Sequence, residues 1–400
     1  MLSSSNGAPE ISGIVEKMRH WRHAIHQYPE TAYKEFNTAN LVSSVLRKLD
    51  IEVHEHIAVT GLVGIIKRGN SKRSIGLRAD MDALELDEAN TFQHRSKVAG
   101  KMHACGHDGH IAMLLGAASI LANDNDFDGT IYLIFQPAEE VEGGAQLMID
   151  EGLFEKFPMD AVFGMHNMPA HEAGSFSICA GPMMAAFGSF ECVIRGTAMH
   201  SSMPHLAVDP IEIGAELIKQ WKTIIYQDIE PLQPAVISVT QFNSGSAQNI
   251  SPEMAVLKGS TRCFSKDVAK LIKRRMTDIA QGLCKQNGAE CEFIYKQAYP
   301  TLINDPSCTQ FAADIAAELV GENRVNRNMK PILASEDFAA MLEHCPGAYI
   351  LIGNGLGESG GCMVHNPNYD FNDAILEVGA SYWVHLAKTF LENTEISSEN

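Results

Sequence analysis

Five side chains that bind metals or move protons fall within eight residues, in Met102-His103-Ala104-Cys105-Gly106-His107-Asp108-Gly109-His110. A thiolate and imidazoles this close suit a borderline-soft divalent cation such as zinc. Cys105 and His107 are the firmest candidates; His103 and His110, like His205 further on, have no better claim than supporting roles. A thiol must lose its proton to ligate, and a bound cation promotes that loss. A second cluster, Glu139-Glu140, follows Phe135-Gln136-Pro137-Ala138. Two adjacent carboxylates can divide the work, one ligating and one accepting a proton from a water that the cation polarises. His166, in Gly164-Met165-His166-Asn167, and His365, in a loop punctuated by Asn366-Pro367, are further candidates. The pattern reads as a metal-dependent hydrolase.

Such residues need elements to bring them together. Apolar spacing predicts helices over residues 10–27 and from Phe36 to Leu49. Ile75-Gly76-Leu77 reads as a strand ending at Arg78-Ala79-Asp80-Met81-Asp82, Ile111 to Leu121 as a buried helix, and Thr130 to Phe135 and Ala161 to Met165 as strands. The near-continuous apolar runs are those of strands covered on both faces, and the alternation predicts an α/β fold. Asp80 and Asp82, Glu139 and Glu140, and His166 then follow three different strands. In open α/β sheets ligands bind beyond the carboxyl ends of strands, so one sheet edge would collect all three groups. From about Ala186 the order changes to strand, helix, two strands, helix, strand, through Lys296. This βαββαβ order is ferredoxin-like and predicts an inserted α+β domain over 186–297. The catalytic domain would be discontinuous, over 10–185 and 298–393.

Composition narrows the setting. The chain has 400 residues, 45% hydrophobic and 20% charged, as expected of a soluble protein of two domains. No apolar run is long enough for a membrane span, and Met1 to Glu10 lacks a signal-peptide core, so a cytoplasmic location is expected. A net charge of −18 argues against nucleic acid and anionic membranes as partners. Nine cysteines without a C-x-x-C pair form neither a disulfide framework nor an all-cysteine zinc site.

The motifs from Arg78 to Leu84, Met102 to His110, Pro137 to Glu140, Gly164 to Asn167, Gly196 to Pro204, Ser335 to Phe338 and His365 to Phe371 occur in one order. Together the chain resembles the N-acyl-amino-acid amidohydrolases, the hippurate and auxin-conjugate hydrolase branch of the aminoacylase–carboxypeptidase metallopeptidases. The resemblance implies a mixed-sheet catalytic domain with two divalent cations, zinc, nickel or manganese. Cys105 would bridge them, with His107 and His166 completing one site and Glu140 and His365 the other. Glu139 would be the general base. The inserted domain would be the family's satellite domain, pairing subunits into a homodimer or higher homo-oligomer. His200 would then stabilise the oxyanion in a neighbouring active site, and Asn249 and Arg262 would hold the substrate carboxylate. Substrates would be small N-acyl amino acids, with dipeptides as the alternative. Relatives usually carry proline where this chain has Glu85, which frees the backbone locally.

Two other readings use the same residues. In one, Cys105 is a nucleophile with a histidine partner, which leaves Glu139-Glu140 unexplained. In the other, the chain is a metal- or peptide-binding relative without catalysis, which leaves no purpose for Glu139.

Overall fold

The computed structural model describes residues 11–141, 143–358 and 360–392. The tails expected to fray, Met1–Pro9 and Thr394–Asn400, lie outside them. The chain divides into two compact units. One runs to Gly181 and includes Ile303–Lys330 and the chain from Asp337; the other is Pro182–Leu302 with Pro331–Glu336. The expected borders at 186 and 297 differ from these by a few residues. The short segment Pro331–Glu336 was not anticipated. It has no hydrophobic periodicity, and backbone hydrogen bonds hold it, from Ala185 to the Ala334 carbonyl and from Ile332 to the Met183 carbonyl.

The first unit is built on an eight-stranded mixed sheet. Its order is Glu52–Ile57, Gly61–Arg68, Gly129–Gln136, Ser74–Asp80, Ala161–Pro169, Gly347–Gly355, Phe176–Ser177 and Val325–Asn326. Ser74–Asp80 runs parallel to both of its neighbours, so three strands send their carboxyl ends to one edge. Strand Ser74–Asp80 is buried at every position, as a central parallel strand must be. Helix His107–Leu121 is buried on all sides, which explains the largely apolar run from Ile111 to Leu121. Helices Val15–Gln27, Phe36–Lys48 and Leu376–Glu392 pack around it with amphipathic faces.

The second unit is a four-stranded antiparallel sheet, ordered Ala235–Ser244, Met254–Cys263, Ala186–Arg195, Glu290–Tyr299. Helices Pro210–Gln227 and Lys266–Gln286 lie on the apolar face, where Trp221, Phe190, Leu217 and Ile272 are buried. The Trp221 indole donates to the Met276 carbonyl at 3.0 Å, so its buried N–H is satisfied. Asp209 and Ser265 cap the two helices through their side chains.

Candidate metal centre

The helix bearing His107 begins at that residue, four positions earlier than expected. Gly106 precedes it with φ +95°. A Cβ there would lie 2.3 Å from the Asn167 carboxamide oxygen and 2.5 Å from the Tyr369 hydroxyl. Only glycine fits that turn, and the turn sets Cys105 and His107 on either side of it.

The remaining candidates arrive from separate elements. Strand Ala161–Pro169 runs past its expected end, so His166 lies within it. Glu139-Glu140 leave strand Gly129–Gln136 through a tight turn in which Ala138 has φ +54°. Glu35 holds that turn: its buried carboxylate accepts from the Ala138 amide at 3.0 Å and the Thr60 hydroxyl at 2.6 Å. Burial, with help from Asp82, pushes Glu35 up to about 7. The Asp82 carboxylate accepts from both Glu139 and Glu140 amides, each at 3.0 Å. The backbone beside Glu85 is pinned by paired hydrogen bonds between Leu84 and Met102, each 3.0 Å. The His365 amide donates to the Ala104 carbonyl at 2.7 Å, tying its loop to the Cys105 segment.

These elements converge. One ligand atom from each of Cys105, Glu140 and His365 lies within 4.8 Å of the others, and so do those of His107, Glu139 and Glu140. His166 Nε2 is 3.3 Å from Cys105 Sγ. All five proposed metal ligands and Glu139 therefore meet at one place.

Hydrogen bonds select which atoms can ligate. His107 Nδ1 donates to the Asp82 carbonyl at 2.8 Å, and His166 Nδ1 to the Asn167 carbonyl at 2.6 Å. Both rings thus turn Nε2 inward with its lone pair, the arrangement that orients histidine ligands. His107 Nε2 and Glu140 Oε1 are buried and make no hydrogen bond. Orphaned acceptors of this kind are costly unless a cation meets them, so the donor set fits a metal.

Asp80, His107, His110 and His166 also cluster within 4.8 Å. Two of these four are already committed. Asp80 engages His110 Nδ1 at 2.6 Å and Arg78 at 2.8 Å, and His110 Nε2 engages Asn167. Asp80 and His110 buttress the centre, in keeping with the strand-end position expected of Asp80 and the supporting role expected of His110. The i, i+3 placement of His107 and His110 on one helix was the available signal.

Electrostatics point the same way. Burial, reinforced by Glu140, Glu139 and Asp80, pushes the Cys105 thiol well up. Burial alone would lower His107, but Asp80, Asp82 and Glu140 outweigh it and raise it to about 10. Burial and then His110 hold His166 well below its usual range. Excess negative charge waits for a cation to replace these protons. An activated Cys–His nucleophile requires the reverse, a depressed thiol beside a cationic imidazole.

His200, Asn249 and Arg262 lie in the second unit. His200 pairs with Ile250 across two short strands, and the Ser201 amide donates to the Asn249 carbonyl, so His200 and Asn249 are neighbours. His200 Nδ1 accepts from the Ser202 amide at 3.2 Å and contacts its hydroxyl at 2.8 Å. This fixes the tautomer that carries its proton on Nε2. Arg262 is partly committed: it donates to the Leu333 carbonyl and the Ser335 hydroxyl, each at 2.7 Å, and lies over Phe187 at 4.9 Å.

This chain is similar to known proteins over most of its length. A hippurate hydrolase of Campylobacter jejuni is 41% identical over 97% of this chain and all of its own. An N-acetylcysteine deacetylase of Bacillus subtilis is 33% identical over 93% of this chain and 96% of its own. A crystal structure of a dinuclear metal binding peptidase from Bacillus subtilis superposes with a TM-score of 0.82. It is 30% identical over 95% of this chain and 99% of that one. The model of peptidase family M20/M25/M40 matches residues 76–389, and with that span and the full-length relatives, this chain belongs to peptidase family M20/M25/M40.

Proposed function

We propose that the protein is a metal-dependent amidohydrolase that cleaves N-acyl amino acids into a carboxylic acid and a free amino acid. The observation that carries this reading is the meeting of Cys105, His107, Glu139, Glu140, His166 and His365 around orphaned acceptor atoms. Relatives named hippurate hydrolase and N-acetylcysteine deacetylase support the substrate class.

Cys105, His107, Glu140, His166 and His365 would hold two divalent cations. Bound there, the cations would supply Lewis acidity and lower the pKa of the attacking water towards about 7. Glu139 is buried at the end of its turn, so its carboxylate takes the water proton in place. The oxygen then attacks the amide carbonyl carbon. Negative charge gathers on the carbonyl oxygen, where the Nε2–H of His200 from a neighbouring subunit is assigned to oppose it. One such donor is typically worth about 2.7–4 kcal/mol. Glu139 returns its proton to the leaving nitrogen and the C–N bond breaks. Asn249 and the unshared edge of Arg262 are assigned to the substrate carboxylate.

The assembly is proposed to be a homo-oligomer, and the location cytoplasmic. Among the described residues no helix is long and apolar enough to cross a membrane.

The test is Glu139→Gln with metal content measured on the same sample. Hydrolysis of a panel of N-acyl amino acids should fall by roughly 10²–10⁴-fold while metal is retained. A metal-replete variant with near-normal rates would reject the role of Glu139. A metal-replete wild type that cleaves no member of the panel would reject the reaction.

A further inference from the structure

The second unit holds a feature that the proposed reaction does not use. Cys192 lies on strand Ala186–Arg195 and Cys291 on the adjacent antiparallel strand Glu290–Tyr299. In the register Cys192 faces Phe293 and Cys291 faces Ile194, so the two cysteines are diagonal neighbours. Both turn to the apolar face beneath the helices. Their sulfurs are 3.7 Å apart, although 99 positions separate them in sequence. Cys284, in the last turn of helix Lys266–Gln286, contributes a third thiol against Cys291. The three are absent from the groups of described residues close enough to hold a metal ion, so a three-thiolate cation site is disfavoured.

Access and reactivity differ among the nine cysteines. Only Cys291 and Cys362 are not fully buried. Cys291 is also on an edge strand, hydrogen-bonded to one neighbour, so its backbone can shift more easily than that of Cys192. The Cys192 and Cys291 sulfurs are close enough to hydrogen-bond, and either thiol can be the donor. Of the pair, Cys291 is the residue that is not fully buried. A partly exposed cysteine beside a second, buried one suits the roles of an attacking and a resolving thiol.

We propose that Cys291 and Cys192 form a reversible dithiol site for low-molecular-weight disulfides of the glutathione class. The Cys291 thiolate attacks one sulfur of the small disulfide, forming a mixed disulfide and releasing one small thiolate. That thiolate takes up the proton that Cys291 gave up. Cys192 then loses its proton and attacks Cys291 Sγ, forming the Cys192–Cys291 bond and expelling the second small thiol. Two protein thiols are oxidised and one small disulfide is reduced to two thiols. Closing the gap from 3.7 Å to a bond of about 2.05 Å requires side-chain rotation and a small displacement of the edge strand.

The experiment treats metal-loaded full-length protein with oxidised glutathione, alkylates the remaining thiols after denaturation, and maps the products by mass spectrometry. The wild type should lose two free thiols, yield a Cys192–Cys291 cross-linked peptide, and recover both thiols with dithiothreitol. C192S should instead trap glutathione on Cys291, and C291S should form neither product. Unfolding of the oxidised second unit should move to higher temperature, because the bond closes a long loop. Wild type that stops at glutathionylated Cys291, a bridge from Cys284 to Cys291, or modification confined to Cys362 would each overturn the assignment. C291S should hydrolyse N-acyl amino acids like wild type before oxidation, which separates this test from that of the proposed reaction.

Discussion

Cys105 is where the chemistry of single residues matters most. Its sulfur is 3.3 Å from His166 Nε2 and clusters with ligand atoms of Glu140 and His365. A sulfur in that position can serve both cations. Replacing it with serine keeps the shape but exchanges a soft, ionisable donor for a hydroxyl. Cys105→Ser should therefore weaken both cations together, each by more than the roughly 10–100-fold typical of losing an outer partner. His107→Ala should weaken chiefly one. Competitive chelator titration with two resolved binding steps distinguishes the outcomes, and a Cys105→Ser variant that loses only one cation would exclude the bridge. Cys105 and His107 stood out in sequence because soft and imidazole donors are rarely so dense, Glu140 and His166 because they follow predicted strands, and the full proposed ligand set came from the family resemblance. Asp80 and His110 were placed near the site by sequence, but their partners were not, since hydrogen bonds to Arg78 and Asn167 are not revealed by spacing.

At the scale of elements, short-range hydrogen bonds turn strand ends into a site. Asp82 holds both Glu139 and Glu140 amides with one carboxylate. Asp82→Asn keeps one acceptor and loses the other, so the turn should loosen without unfolding. Activity should drop by roughly 10–100-fold, read as kcat on a metal-replete sample. Helix Val15–Gln27 provides a second case. Its buried Arg22 bonds to Asp108 at 3.3 Å and Asp370 at 2.9 Å, and His26 to Asp108 at 2.9 Å. Burial would lower His26, but Asp108 overcomes it and raises His26 to about 9. A raised folded-state pKa gives stability that is complete below about 6.5 and lost as pH rises through about 9. Thermal unfolding temperature should therefore fall across that window, and His26→Gln should flatten the fall; an unchanged slope would remove His26 from the cause. These contacts also explain what sequence could resolve. Apolar periodicity marked the central strands and most helices, because burial imposes it. It missed the start of helix His107–Leu121, whose first turn is filled by functional polar residues, and the extended segment Pro331–Glu336, which is held by backbone bonds.

For the whole molecule, charge and organisation into two units combine in one prediction. The chain carries a net charge of −18, and the centre gathers buried Cys105, Glu139 and Asp80 with half-buried Glu140. Like charges in such a place oppose folding unless protons or cations neutralise them. Cation binding then contributes stability by mass action, about 4 kcal/mol at a free concentration 1,000 times the dissociation constant. The ligands all belong to the first unit, whereas the second has its own core around Trp221 and Phe190. Chelation should abolish hydrolysis and should destabilise the two units unequally. Hydrogen exchange followed by mass spectrometry reads both at once. Peptides covering His107–Leu121 and the His365 loop should exchange faster after treatment with EDTA, and re-addition of metal should restore their protection. Peptides from Pro210–Gln227 and Lys266–Gln286 should keep their rates. Uniform loss of protection would mean that the two cores unfold as one cooperative system. Unchanged exchange, with activity intact, would mean that the buried donors never held a cation, and the proposed reaction would fall with it.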